Sequence, residues 1–282
     1  MILSNFGIDK CSLGISMCGT LPKNREQMLE LLNTYNNSCN RWSKISENIP
    51  LKLSSYPIDI GRMPGICVGD GVLPVAIYRQ SYYAAKIAEL AKKTDDREMV
   101  LELGAGYGGV PYSLFNDYGF FGTYIDIDIP EILSIATYFL MQCFPEKKFL
   151  LYGEQKNLDA QSLRNYDFVM MPNFMIRSMP SESIDVVFNA HSLVEMDFSA
   201  IDAYIKEFYR ISKKYLLHFN HEFNRVYGYA SSGRVKRQAV MRSYRGFDGS
   251  LYKLIYVIPE VLQNCGGVWE GRGYYEYMLQ KV

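Results

Sequence analysis

No Cys-x-x-Cys pair occurs in this 282-residue sequence. Its six cysteines (Cys11, Cys18, Cys39, Cys67, Cys143 and Cys265) are scattered, which argues against a zinc knuckle or a thioredoxin-type site. Free thiols in a reducing cytoplasm are the expectation instead. Net charge is missing too. Thirty basic and thirty acidic side chains cancel, so no global field draws the chain to nucleic acid or to an anionic membrane. No run approaches the roughly 18 apolar residues of a membrane span. The first residues lack the basic start and apolar run of a signal peptide. Histidine is scarce: His191, His218 and His221 are all there is.

What is present suits a large packed core. Apolar residues make up 48% and charged residues 21%, which excludes a disordered chain. The length fits one large α/β domain with an extension, or two small domains. Tyrosine is abundant, with 23 copies. Its flat ring and hydroxyl suit polar ligands with apolar patches, such as sugars, although most such rings simply fill cores and their edges.

Two parts read differently along the chain. Residues 1–93 show helical patterns at 25–35 and 75–92, and residues 56–71, rich in Gly and Pro, read as an ordered loop. This mainly helical N-terminal extension would be a lid or the dimerisation arm of a homodimer. Residues 94–282 carry a βαβ rhythm. Strands are expected at 99–103, 122–127, 149–152, 167–171, 185–189 and 214–220, with helices at 111–118, 130–143 and 200–211. The last of these helices puts Ile201, Tyr204, Ile205, Phe208 and Ile211 on one face. The segment from Gly266 to Leu279 reads as a closing hairpin.

The first expected strand runs into Glu102-Leu-Gly104-Ala-Gly106-Tyr-Gly108-Gly109. Glycines at a strand-to-helix turn let the chain turn sharply and let a ligand lie against bare backbone. The second strand ends in Asp126-Ile-Asp128, whose carboxylates follow Gly106 by 20 and 22 residues. That is where a doubly wound fold places an acid for the ribose hydroxyls of an adenosine cofactor. Glu102 separates two cofactor classes. A carboxylate beside the loop repels a pyrophosphate and favours a cationic ligand, and S-adenosyl-L-methionine carries a sulfonium and an ammonium group.

On these residues the sequence resembles the class I methyltransferases, whose first motif is E-x-G-x-G-x-G. The resemblance implies an α/β, Rossmann-like sheet. It places Glu102, Gly104, Gly106 and Gly108 at the methionine end of S-adenosylmethionine and an acid at the ribose. Asp128-Ile-Pro-Glu131-Ile is similar to the D-L-P-x-V of small-molecule O-methyltransferases, which favours Asp128 over Asp126. The resemblance covers about residues 99–281. It departs at Asp167-Phe-Val-Met-Met-Pro-Asn173-Phe174, read as an extra segment where an acid usually meets the adenine amine. Asn173 or Phe174 would take that role. Asn189, in Asp185-Val-Val-Phe-Asn189-Ala-His191-Ser192-Leu-Val-Glu195, is a further cofactor contact. These last two stretches look most like the sugar O-methyltransferases.

In open α/β sheets the substrate lies beyond the carboxyl ends of the strands. His191 and His221 fall there, and either could take a proton from an acceptor hydroxyl at neutral pH. The packing reading stays open for both, and it is the preferred one for His218, inside a strand. Glu195 is a third candidate base, although Ser192-x-x-Glu195 also matches a capping box; Asp197 stands beside it. No carboxylate cluster has metal-ligand spacing. Arg225, Arg234, Lys236, Arg237, Arg242 and Arg245 form either a solvated face or an anion site for a nucleotide-sugar diphosphate. Gly228, Ser231, Ser232 and Gly233 among them suggest a loop able to close.

The expected activity is methyl transfer to a hydroxyl of a sugar, nucleotide sugar or glycosylated metabolite. N-methylation of an amino sugar, a cofactor-binding subunit without turnover, and a nicotinamide dehydrogenase are the alternatives.

Overall fold

The computed structural model describes residues 24–57, 59–60, 65–74, 76–91, 97–193, 196, 198–221, 227–229, 235–237, 251–262 and 274–282. The chain divides into two compact units: Met1–Glu89 with Ala105–Phe121 and Asp128–Lys147, and Leu90–Gly104 with Gly122–Ile127 and Lys148–Val282.

The first unit holds helices α1 (Arg25–Ser46), α2 (Ile77–Leu90), α3 (Gly109–Tyr118) and α4 (Pro130–Cys143). Asn24 caps α1 by accepting from the Gln27 amide. The helix continues well past residue 35, where apolar periodicity fades. Packing carries it: the buried Tyr35 donates its hydroxyl to Leu73 O, and Trp42 Nε1 donates to Ser81 Oγ at 3.3 Å. The stretch expected as a loop instead contains β1 (Tyr56–Pro57), β2 (Ile66–Val68) and β3 (Gly71–Leu73), an antiparallel sheet ordered β1-β3-β2. Strands this short leave no alternation to read.

The second unit is built on an eight-stranded sheet. Its strands are β4 (Glu98–Leu103), β5 (Gly122–Asp128), β6 (Phe149–Leu151), β7 (Phe168–Pro172), β8 (Ile184–Ala190), β9 (Ser212–His221), β12 (Tyr252–Pro259) and β13 (Tyr274–Lys281), ordered β12-β13-β9-β8-β4-β5-β7-β6. β5, β4, β8 and β9 run parallel, as do β6 and β7, while β13 and β12 are antiparallel. β4 and β7 are buried at every position, as expected of strands covered on both faces. Met99, Leu101, Leu103, Ile125, Ile127 and Val187 share one core with Phe208 and Ile211 of α6 (Phe198–Ile211). The helix α5 (Ala160–Leu163) and a 3-10 helix (Asn173–Ser178) complete the connections, and β10 (Tyr227–Tyr229) pairs with β11 (Val235–Arg237).

One expectation changes. The segment read as extra, β7, sits directly beside β5, and it is β6 that lies at the sheet edge. The final strand pairs with β12 and β9, and the Gly266 end of the expected hairpin lies outside the described residues. Among the described residues no helix is long and apolar enough to cross a membrane.

Candidate functional site

In the sheet unit, Glu102 and Asp126 are register partners of a parallel pair and share a face. Glu102 is 2% exposed and Asp126 is fully buried. Tyr124, two residues before Asp126 on that face, donates its hydroxyl to Glu102 Oε2. Burial, and then the Glu102 charge, hold the Tyr124 phenol well above the usual phenol range, so it remains a donor.

Gly104 follows, with φ +83° and its N–H on Ile127 O at 2.9 Å. A Cβ there would stand 2.8 Å from Ser192 Cβ and Oγ, closer than real Cβ contacts come, so glycine alone fits.

A buried amide chain holds the entry to this turn. Asn189 donates through Nδ2 to Leu103 O at 2.8 Å and to Ser192 Oγ, and it accepts at Oδ1 from Asn220 Nδ2 at 3.0 Å. Asn220 Nδ2 also lies 3.3 Å from His218 Nδ1. Burial pushes the His218 imidazole down to about 3, so it is neutral and Nδ1 can accept; the ring stacks on Tyr277 at 4.5 Å. His218 is thus a packing residue, as its place inside a strand suggested. Asn189, expected as a cofactor contact, here turns its amide to the protein's own backbone.

His191 follows β8 in the left-handed region, φ +68°, which few non-glycine residues adopt. Its N–H bonds Phe219 O at 2.8 Å, and its ring meets Tyr274 edge-on at 4.2 Å. Nε2 stands 3.8 Å from Oε2 of Glu260, a carboxylate with no exposed surface. That distance is long for a hydrogen bond but within reach of an ion pair once the imidazole takes a proton. His221 ends β9 opposite Tyr274, the residue that the His191 ring meets; only the His221 backbone is described. Asn173 opens the 3-10 helix straight after β7. Its neighbour Phe174 is 56% exposed and meets Tyr152 edge-on at 5.5 Å.

The helical unit carries the rest of the loop. Gly106 and Gly108 have φ +63° and +92°. Asp128 is partly buried and accepts from Gly106 N at 3.2 Å through Oδ2 and from Ile129 N at 2.7 Å through Oδ1. Burial pushes its carboxyl up to about 6, against the opposing pull of those two amides. Asp128 therefore touches the glycine loop, whereas Asp126 is buried in the sheet.

Glu195, Asp197, Arg225, Arg234, Arg242 and Arg245 lie outside the described residues, and Lys236 and Arg237 fall in β11, where only backbone is described. α6 begins at Phe198, so Ser192 does not open it; the Ser192 hydroxyl donates to Leu103 O at 3.0 Å. Among the described residues no group of three or more His, Cys, Asp or Glu could hold a metal ion. Glu260, Asn220 and Tyr124 went unnoticed in the sequence. The only local hint for Glu260 is an acid directly after Pro259, and its partner His191 is 69 residues away.

No family model matches the chain, and no curated protein matches it in sequence. Among solved structures it is similar to a candidate sarcosine dimethylglycine methyltransferase from Galdieria sulphuraria, at 12% identity and a TM-score of 0.51 over 87% of this chain and 98% of that one. It is also similar to mitomycin 7-O-methyltransferase (12%, TM-score 0.46, 74% of this chain), of which it spans about half, 54%. Geranyl diphosphate methyltransferase, solved with S-adenosylmethionine, matches at 11% identity and a TM-score of 0.46, over 71% of this chain and 85% of that one. At such identities the likeness is one of fold, and the expected Rossmann-like methyltransferase fold is the one observed.

Proposed function

We propose that the chain is an S-adenosylmethionine-dependent methyltransferase acting on a hydroxyl of a sugar or sugar-bearing small molecule. The observation that carries the cofactor is the Asp128 carboxylate hydrogen-bonded to the Gly106 amide, at the end of the strand beside the one that feeds the glycine loop. There it can accept ribose hydroxyls, while the buried Glu102 disfavours a pyrophosphate and suits a sulfonium. His191 is the base: as it takes the acceptor proton, the Glu260 carboxylate stabilises the imidazolium. The abundant tyrosines support a sugar acceptor, and the free thiols Cys39, Cys67 and Cys143 support a reducing cytoplasm.

Calorimetry of the full chain with S-adenosylmethionine and with NAD tests this. Binding of the first and not the second is expected; the reverse would make the protein a dehydrogenase. Mass spectrometry of a panel of sugars, nucleotide sugars and amino sugars then reads the acceptor as a gain of one methyl group.

Asp128 also sets a pH dependence. Ribose hydroxyls donate to the ionised carboxylate, so binding lowers a carboxyl that stands at about 6 in the ligand-free fold. Affinity should be full above that pH and fall about tenfold per unit below it. Stability has the opposite sign. A carboxyl raised from 3.8 to about 6 destabilises the ligand-free fold increasingly as pH rises through that window. Asp128→Asn should therefore raise the Tm of the ligand-free chain above pH ~6, by at most about 3 kcal/mol in stability, while weakening S-adenosylmethionine. A Tm unchanged across the window would argue against a strained carboxylate.

A further inference from the structure

We propose that Gln80 and Tyr56, from the N-terminal part of the chain, are positioning residues for the cofactor loop and act through Tyr107; this rests on the S-adenosylmethionine reading above. Tyr107 stands between Gly106 and Gly108, in the middle of the loop, yet it is only 3% exposed. Its hydroxyl donates to Gln80 Oε1 at 2.7 Å. The Tyr56 hydroxyl donates to the same oxygen at 2.7 Å, and the two hydroxyls lie 3.3 Å apart. The ring is held as well, edge-on to Tyr56 at 5.9 Å and to Phe139 at 5.7 Å.

A second contact grips the loop one step further on. A Cβ at Gly109 would fall 2.3–2.5 Å from the Gln80 amide, so the Gln80 side chain lies directly against the backbone of the first residue of α3. One glutamine thus holds the loop by a side chain and by bare backbone, which accounts for Gly109. The physical need is plain. Glycines lose more backbone freedom on ordering than any other residue, and a loop that holds its ligand by backbone must order them. Anchoring Tyr107 restricts both neighbouring glycines before the ligand arrives, so less ordering is left for binding. It also gives the N-terminal part of the chain a task inside the cofactor site.

The test uses the full chain and S-adenosylmethionine calorimetry. Gln80→Met keeps the shape and removes the acceptor of both hydroxyls; the Kd should rise about tenfold, and about fivefold for Tyr107→Phe. Hydrogen exchange of the loop amides in the ligand-free variants should quicken. Tyr112→Phe is the control: it deletes a hydroxyl bonded to Ser55 O at 2.9 Å in the same aromatic cluster, and it should lower Tm without moving the Kd. Wild-type affinity and exchange in both Gln80→Met and Tyr107→Phe would overturn the positioning role and leave the function standing. So would an equal loss of affinity in Tyr112→Phe, which would mean packing alone. Failure of the unmodified chain to bind S-adenosylmethionine would remove the function and, with it, this inference.

Discussion

His191→Asn is expected to lower kcat about 10²–10⁴-fold, the usual contribution of a general base, with S-adenosylmethionine affinity nearly unchanged. Asparagine is the right replacement because the residue sits at φ +68°, where asparagine is tolerated and alanine is strained. On the proposed reading the cofactor is held by Asp128 and the glycine loop, so the loss should appear in turnover rather than in binding. Glu260→Gln supplies the companion measurement. A buried carboxylate 3.8 Å away stabilises the imidazolium that forms during turnover, so Glu260→Gln should also lower kcat while leaving cofactor affinity unchanged. If His191→Asn stays within a few-fold of wild type, the base is His221, Glu195 or Asp197, or the acceptor is an amine that needs none. The methylated product tells these apart.

The second large effect concerns the loop and its acid. Asp128→Ala removes a charged acceptor and should cost roughly 1.5–3 kcal/mol of S-adenosylmethionine binding. Gly106→Val places a branched side chain at φ +63°, in a region β-branched residues avoid, and against the ligand. Together they should abolish measurable binding. A folded double variant with wild-type affinity would place the cofactor elsewhere in the chain.

Local rules made much of this legible in the sequence. The start of the helix at 130 follows from Pro130 at the first helical position, and the observed α4 begins there. The stripe from Ile201 to Ile211 did put Ile201, Phe208 and Ile211 into the buried core. The glycine spacing, Glu102 ahead of it and Asp128 at the end of the next strand are all features of short stretches, where backbone sterics and the chain's reach leave few alternatives. Tertiary structure decided the rest. Whether β6 or β7 lies beside β5 depends on pairing, not on either strand's composition. The expectation of a ligand contact at Asn189 rests on its place at the end of an apolar strand; its hydrogen-bond partners Leu103 and Asn220 come from two other strands. Glu260 meets His191, and Gln80 meets Tyr107, only because folding closes long loops between them. A buried polar group takes whichever partner the packed chain brings within hydrogen-bond reach, and no local periodicity records that distance.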